Sequence, residues 1–302
     1  MNLSLSMNLF VTYEIEKALA KAREFGYEYV ELFDFLFNQK AFSTKHINSL
    51  LAKNDLKASS IATVSVELPL TNDFFAGPDE GKRKKAADNM KKAIVVAREL
   101  DCDMVTTEML GNVANVGVVD QQTCKDCFLR SVDEIMPVLE KEDVSISFEP
   151  HPGDFIENSD EAVDFLKKTG SPRVGYLWCA SHSFVMGGEP VDMLRYTKDI
   201  LNFVYFSDTH NVKRIMAPLL KREMGAHEHL IPGRGGDVDF EAMFRTLKEI
   251  DYDGFVCAQP FSYAMDKPEE AAKESKEFYD RMQDLTGFRG EKKETEKTCV
   301  QV

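Results

Sequence analysis

The sequence predicts an α/β chain whose strands close into an eight-stranded (β/α)8 barrel. Three observations carry this. Apolar, β-branched runs of strand length recur eight times. Segments of helical period separate them, the alternation expected of a parallel sheet. The chain has 302 residues, and such barrels take about 250 residues plus insertions. The competing fold, a doubly wound open sheet, usually carries a glycine-rich turn after its first strand. Asn8-Leu9-Phe10-Val11-Thr12 has no glycine.

The strand candidates are Leu3–Phe10, Tyr29–Phe33, Ala58–Val66, Met104–Met109, Val144–Phe148, Val174–Trp178, Phe203–Phe206 and Gly254–Ala258. Helical periodicity marks Glu14–Phe25, Glu80–Glu99, Thr123–Lys141, Ser159–Lys168, Val191–Lys198, Phe240–Ile250 and Pro268–Leu285. Asn158-Ser159-Asp160-Glu161 and Asp239-Phe240-Glu241 read as helix starts, with a capping side chain and acids in the first turn. Gly26 and Gly170 fall just past helix ends, where a left-handed residue is needed. One barrel over residues 1–286 is the expected domain. Residues 287–302 form a polar tail with the composition of a disordered segment.

Composition removes several classes of function. The longest apolar runs are strand-length, far below the roughly twenty residues of a membrane helix. The N-terminus lacks the basic region of a signal peptide. Basic residues number 37 against 51 acidic, a net charge of −14. The cluster Lys82-Arg83-Lys84-Lys85 is diluted by nearby acids, so no basic patch supports nucleic-acid binding. Six cysteines are too few for a disulfide scaffold, and reduced thiols in a cytoplasmic protein are expected. Cys124-Lys-Asp-Cys127 reads as two helix residues one turn apart.

In such a barrel the reactive groups belong at the C-terminal ends of the strands. Five of the six histidines, His151, His182, His210, His227 and His229, follow the fifth, sixth and seventh strand candidates. Glu31 lies in the second strand, Glu108 late in the fourth, Glu149 at the end of the fifth and Asp208 at the end of the seventh. A carboxylate at the end of a buried strand is costly unless it meets a cation, a metal or a substrate hydroxyl, and such groups do acid–base work. Gly233-Arg234-Gly235-Gly236, ahead of a helix start, reads either as an anion site or as a tight turn.

Four segments carry a resemblance: Ser145-Ile-Ser-Phe-Glu149-Pro150, Cys179-Ala-Ser-His182, Tyr205-Phe-Ser-Asp208, and Pro232-Gly-Arg-Gly235 with Asp239-Phe240. With Asp251-Tyr-Asp-Gly254 and Gln259 they resemble the sugar isomerase/epimerase superfamily of xylose-isomerase-like TIM barrels. The resemblance implies a strand-five Glu-Pro, an Asp-x-x-His after strand six, a strand-seven His-x-x-Asp and a Glu ending strand eight. It also implies one divalent metal held by Glu, Asp, His and Glu. Those four places are Glu149, Cys179, Tyr205 and Gln259 in this chain, so only the first keeps its donor. DNA-repair relatives of the fold carry further zinc ligands at positions that align with His182, His227 and His229.

The resemblance therefore implies a sugar or polyol isomerase or epimerase that moves a proton next to a carbonyl. A lyase or dehydratase acting on a keto-sugar is the close alternative, since it needs one strong base. A non-catalytic ligand-binding or partner subunit is the third reading. Glu149, His182, Asp208 and His210 are the expected catalytic residues. Glu31, Glu108, His151, His229, Arg234 and Gln259 are the expected substrate-binding residues. Glu149, His182 and His229 are the expected ligands of a zinc or manganese ion, with a metal-free pocket as the other reading. Homo-oligomers are common in the family, and a small sugar or polyol is the expected partner.

Overall fold

The computed structural model describes residues 1–38, 42–63, 72–109, 120–151, 154–185, 188–210, 229–261 and 266–287. His227, Cys299 and residues 288–302 of the expected tail lie outside them. The strands are β1 (Asn2–Ser6), β2 (Tyr29–Phe33), β3 (Lys57–Ala62), β4 (Met104–Glu108), β5 (Ser145–Glu149), β6 (Val174–Cys179), β7 (Leu201–Phe206) and β8 (Phe255–Ala258). They pair in sequence order, all parallel, and β1 closes the barrel on β8. The family's barrel is thus present with its expected topology.

The helices are α1 (Ile15–Glu24), α2 (Phe35–Asn38), α3 (Thr44–Lys53), α4 (Glu80–Glu99), α5 (Gln121–Glu142), α6 (Ser159–Lys167), α7 (Ala180–Val185), α8 (Pro190–Thr197), α9 (Phe240–Glu249) and α10 (Pro268–Thr286). Their ends follow from local chemistry. Ser43, Asp79, Asp120 and Asp239 each accept a backbone N–H three residues on, closing the first turns of α3, α4, α5 and α9. On the opposite face, the turn into the next strand uses a left-handed residue. It is Gly26 or Gly170 in two loops and Asp55, Asp101, Asp143 or Asp251 in four others. Aspartate tolerates that conformation better than most side chains.

Several strand ends differ from the periodicity reading. The apolar run at Leu3–Phe10 is a strand only to Ser6. Met7–Phe10 winds into a 3-10 turn that buries Leu9 and Phe10. Leu201 and Asn202 extend β7 backwards, with Leu201 paired to Tyr176 of β6. A Cβ at Gly175 would stand 2.1 Å from the Asn202 side chain.

Alternation sorts the side chains. Outward-facing Phe148, Trp178 and Phe206 pack under the helices, joined by Phe128 and Phe165 on one flank and Phe240, Phe244 and Phe278 on another. The buried Trp178 indole donates to the Pro190 carbonyl at 2.9 Å. Inside the barrel, Leu177, Cys179, Phe203, Tyr205 and Cys257 form an apolar plug on the β6–β8 side. Ser4, Ser59, Ser60, Thr106 and Glu31 make the remaining interior polar.

Candidate active site

A cavity of about 230 Å³ opens at the C-terminal mouth of the barrel. Its acid–base side is built by neighbouring strands. Glu108 and Glu149 end β4 and β5 as Cα partners in register. Glu149 is 6% exposed. His151 follows it, and α7 delivers His182. Nδ1 of His182 lies 2.9 Å from Oε1 of Glu149. The atoms are at ion-pair distance but off a good hydrogen-bond angle. The His151 ring stands edge-on to His182, with centroids 4.7 Å apart.

Burial dominates the electrostatics. It pushes the Glu149 carboxyl up to about 8, and the Glu108 charge adds to the effect while His151 opposes it. Burial holds His182 well below the usual imidazole range. The two shifts agree in kind: each group prefers its neutral form, as expected where no bulk water solvates a charge.

The opposite wall comes from β8 and β1. Gln259 and Asn8 line it, and Phe33 and Phe261 close its sides. The Gln259 side-chain oxygen is buried and accepts no hydrogen bond among the described residues. His229 lines the cavity from the segment after β7. Its Nδ1 is 3.2 Å from the Ser207 hydroxyl, and its ring packs on Phe261.

Four of the expected site residues stand elsewhere. Glu31 is sealed below the cavity, where Oε1 accepts hydrogen bonds from Ser60, Thr106 and Tyr205. Asp208 holds a loop: its carboxylate accepts the backbone N–H groups of Thr209, Gly233, Gly236 and Val238. His210 is exposed, 3.8 Å from Asp237. Arg234 is exposed and pairs with Glu270 and Glu274 on α10, so its charge is spent outside the mouth. The sequence reasoning missed Thr63 and Thr107, whose hydroxyls share a 2.7 Å hydrogen bond on the cavity wall. Their signal was a hydroxyl at or just past a strand's C-terminal end.

The four places that align with the family's metal ligands can be tested against the cation they would hold. Only Glu149 offers a carboxylate. The Tyr205 hydroxyl donates to Glu31 at 3.1 Å, and burial raises its pKa well above the phenol range. Burial next to Glu149 raises the Cys179 thiol likewise, and Gln259 carries no charge. Mn²⁺ and Mg²⁺ take hard anionic oxygen and imidazole donors, so this set does not fit them. A different group meets nearby. Cys179, His182 and His229 are all buried, and one donor atom from each lies within 4.8 Å of the others.

The inosose dehydratase of Geobacillus kaustophilus is 27% identical over 140 residues, which is 44% of each chain. The chain spans about half the length of the curated relatives it matches. A D-tagatose 3-epimerase-like protein superposes with a TM-score of 0.75 at 19% identity, covering 96% of this chain and 99% of that one. The IolI protein, solved with a bound zinc atom, gives 0.76 at 17% identity, covering 95% and 99%. Among the described residues no helix is long and apolar enough to cross a membrane. The model of the xylose isomerase-like TIM barrel matches residues 19–282, and the chain belongs to that family.

Proposed function

We propose that this protein is an enzyme that removes water from a keto-polyol or keto-sugar, taking the proton next to the carbonyl. One observation carries the reading: the two carboxylates that line the mouth, Glu108 and Glu149, stand side by side at the ends of β4 and β5. Glu108, Glu149, His151 and His182 come from β4, β5 and the segments after β5 and β6. Gln259 directly follows β8, four strands from β4 in either direction around the barrel. A two-carboxylate epimerase needs a proton-transfer group on each face of its substrate, and here an amide faces the carboxylates.

Elimination on one face needs a single group. The Glu149 carboxylate takes the proton from the carbon next to the carbonyl. The bond to the β-hydroxyl breaks, and the same carboxyl returns the proton to the departing hydroxide, releasing water. His182 orients the Glu149 carboxyl, and Thr63, Thr107 and Asn8 offer hydrogen bonds to substrate hydroxyls. A buried carboxyl whose pKa sits near 8 is poised for both halves of this exchange. Two of the curated relatives are named inosose dehydratase, which supports this chemistry. The partner is a small polyol rather than a nucleic acid, and the five described cysteines, all buried free thiols, suit a reducing cytoplasm.

Incubation with a panel of inososes and keto-hexoses tests the proposal. The expected product is lighter by one water, and Glu149→Gln lowers the rate by about 10²–10⁴-fold. A product of unchanged mass carrying solvent deuterium would establish isomerisation instead, with His151 as the second proton-transfer group. Full activity in Glu149→Gln would overturn both.

A further inference from the structure

We infer that Glu31 commits the hydroxyl protons of Thr106 and Tyr205, so that the cavity floor accepts hydrogen bonds and selects a substrate that turns a hydroxyl group toward it. Thr106 and Tyr205 line the cavity, whereas Glu31 is wholly buried beneath them. Glu31 is then a positioning residue that acts through the two hydroxyls. The inference rests on the proposed reading of the substrate as a keto-polyol and names the feature by which the floor recognises it.

The register explains the meeting. Ser60 is the Cα partner of Glu31, and Ala62, two residues on, is the partner of Thr106. Alternation therefore turns Glu31, Ser60 and Thr106 to the same interior face. Tyr205 enters from β7, level with Cys179 and Cys257. Three hydroxyls converge on one carboxyl oxygen: Oε1 of Glu31 accepts Ser60 at 3.0 Å, Thr106 at 2.9 Å and Tyr205 at 3.1 Å. Its other oxygen lies beside the Cys257 sulfur, at 3.8 Å.

A hydroxyl group has one proton to give and two lone pairs to offer. The protons of Thr106 and Tyr205 are held by Oε1, so lone pairs are what these groups present to the cavity. The carboxylate and the acid act alike here, because a proton on the acid sits on Oε2. A substrate hydroxyl that faces the floor donates to it, and both sides are satisfied. A ketone or ether oxygen carries lone pairs alone and would leave the floor acceptors without a donor, which is costly in a closed site. The ketone is therefore turned from the floor toward the Gln259 amide across the mouth, which carries N–H donors.

Binding is read by calorimetric titration in Glu149→Gln protein, where turnover is stalled. The ligands are an inosose and its derivatives with hydrogen or fluorine in place of one hydroxyl at a time. Fluorine fills the space of a hydroxyl but donates nothing. At one ring position hydrogen should weaken binding by about 5–100-fold, and fluorine at least as much. Thr106→Val or Tyr205→Phe should shrink that penalty by about threefold or more, and Thr106→Ser should keep it. Glu31→Met frees the two protons to turn upward, so fluorine at that position should then bind better than hydrogen. A Glu31 that serves folding alone would leave the order of hydrogen and fluorine unchanged. Fluorine that restores binding at every position overturns the inference, and so does a penalty that Thr106→Val and Tyr205→Phe both leave intact. Neither result touches the dehydration, which loss of water in wild-type protein decides. A product of unchanged mass would overturn the dehydration and leave the floor's preference standing, and failure of every inosose to bind would overturn both.

Discussion

The Nδ1 atom of His182 lies 2.9 Å from Oε1 of Glu149, and both residues are almost sealed from solvent. With Glu108 in register beside it, the Glu149 carboxyl keeps its proton up to about 8 in the metal-free protein. An unfolded glutamate loses it near 4.5. The folded state therefore binds this proton more tightly. The contribution to stability is full below 4.5 and is lost as the pH rises through about 8. Glu149→Gln cannot lose it. In chelator-treated protein, the stability of Glu149→Gln relative to wild type should rise by roughly 2–4 kcal/mol between pH 5 and pH 9. Urea unfolding at several pH values measures this. A difference that stays constant with pH would show that Glu149 does not hold the proton.

The Asp208 carboxylate organises the loop that carries His229 into the cavity. It accepts four backbone N–H groups, and Asp208 and Leu230 exchange backbone hydrogen bonds. Asp208→Ala orphans those donors and should destabilise the fold by about 2–4 kcal/mol. Gly236→Ala tests the same cradle from the other side, since its Cβ would stand 2.1 Å from Oδ1 of Asp208 and 2.7 Å from the Thr209 carbonyl. Calorimetry should place both variants well below wild type in Tm. A Gly236→Ala protein with native Tm would mean the loop yields freely.

The barrel itself was legible because each strand is a short apolar run between helical segments. Tyr29–Phe33 and Glu80–Glu99 have the observed bounds of β2 and α4. Glu149 was legible for a related reason: a carboxylate ending an apolar strand must have an exceptional partner. Asp208 has the same local signature, an acid ending a strand, yet it meets backbone amides brought from residues 233–238. Nothing local to Tyr205-Phe-Ser-Asp208 encodes that meeting. Arg234 misled similarly. A glycine-flanked arginine suggests an anion site, but two glutamates a helical turn apart on α10 take its charge. The convergence of Cys179 with His229 depends on barrel closure, which no window of sequence contains.

Arg83 gives a test of the outer shell. It is 1% exposed, and its guanidinium donates to Glu80, Glu134 and Ser131, whose hydroxyl donates on to the Phe75 carbonyl. Arg83→Ala strands this network and should cost about 3–5 kcal/mol. Arg83→Met combined with Glu80→Gln and Glu134→Gln removes the charges together and should recover most of that loss. Equal destabilisation of the single and triple variants would show that shape, rather than charge, is what Arg83 supplies.

Tyr205 stands where relatives of the fold place a histidine, and its hydroxyl turns away from metal chemistry into the barrel floor. It donates to Glu31 at 3.1 Å, beside the Ser60 and Thr106 hydroxyls at 3.0 and 2.9 Å. Burial raises the Glu31 carboxyl, and these hydroxyl donors pull it back down. Deleting one donor should therefore let burial prevail. Tyr205→Phe should destabilise the fold by about 1–2 kcal/mol, because a buried carboxyl loses a partner. Glu31→Gln should cost less in the Tyr205→Phe background than in wild type, since the amide no longer forfeits the Tyr205 bond. A double-mutant cycle by urea unfolding measures that coupling, expected at about 0.5–2 kcal/mol. Zero coupling would mean that the phenol is held by packing against Phe203 and Leu177 alone.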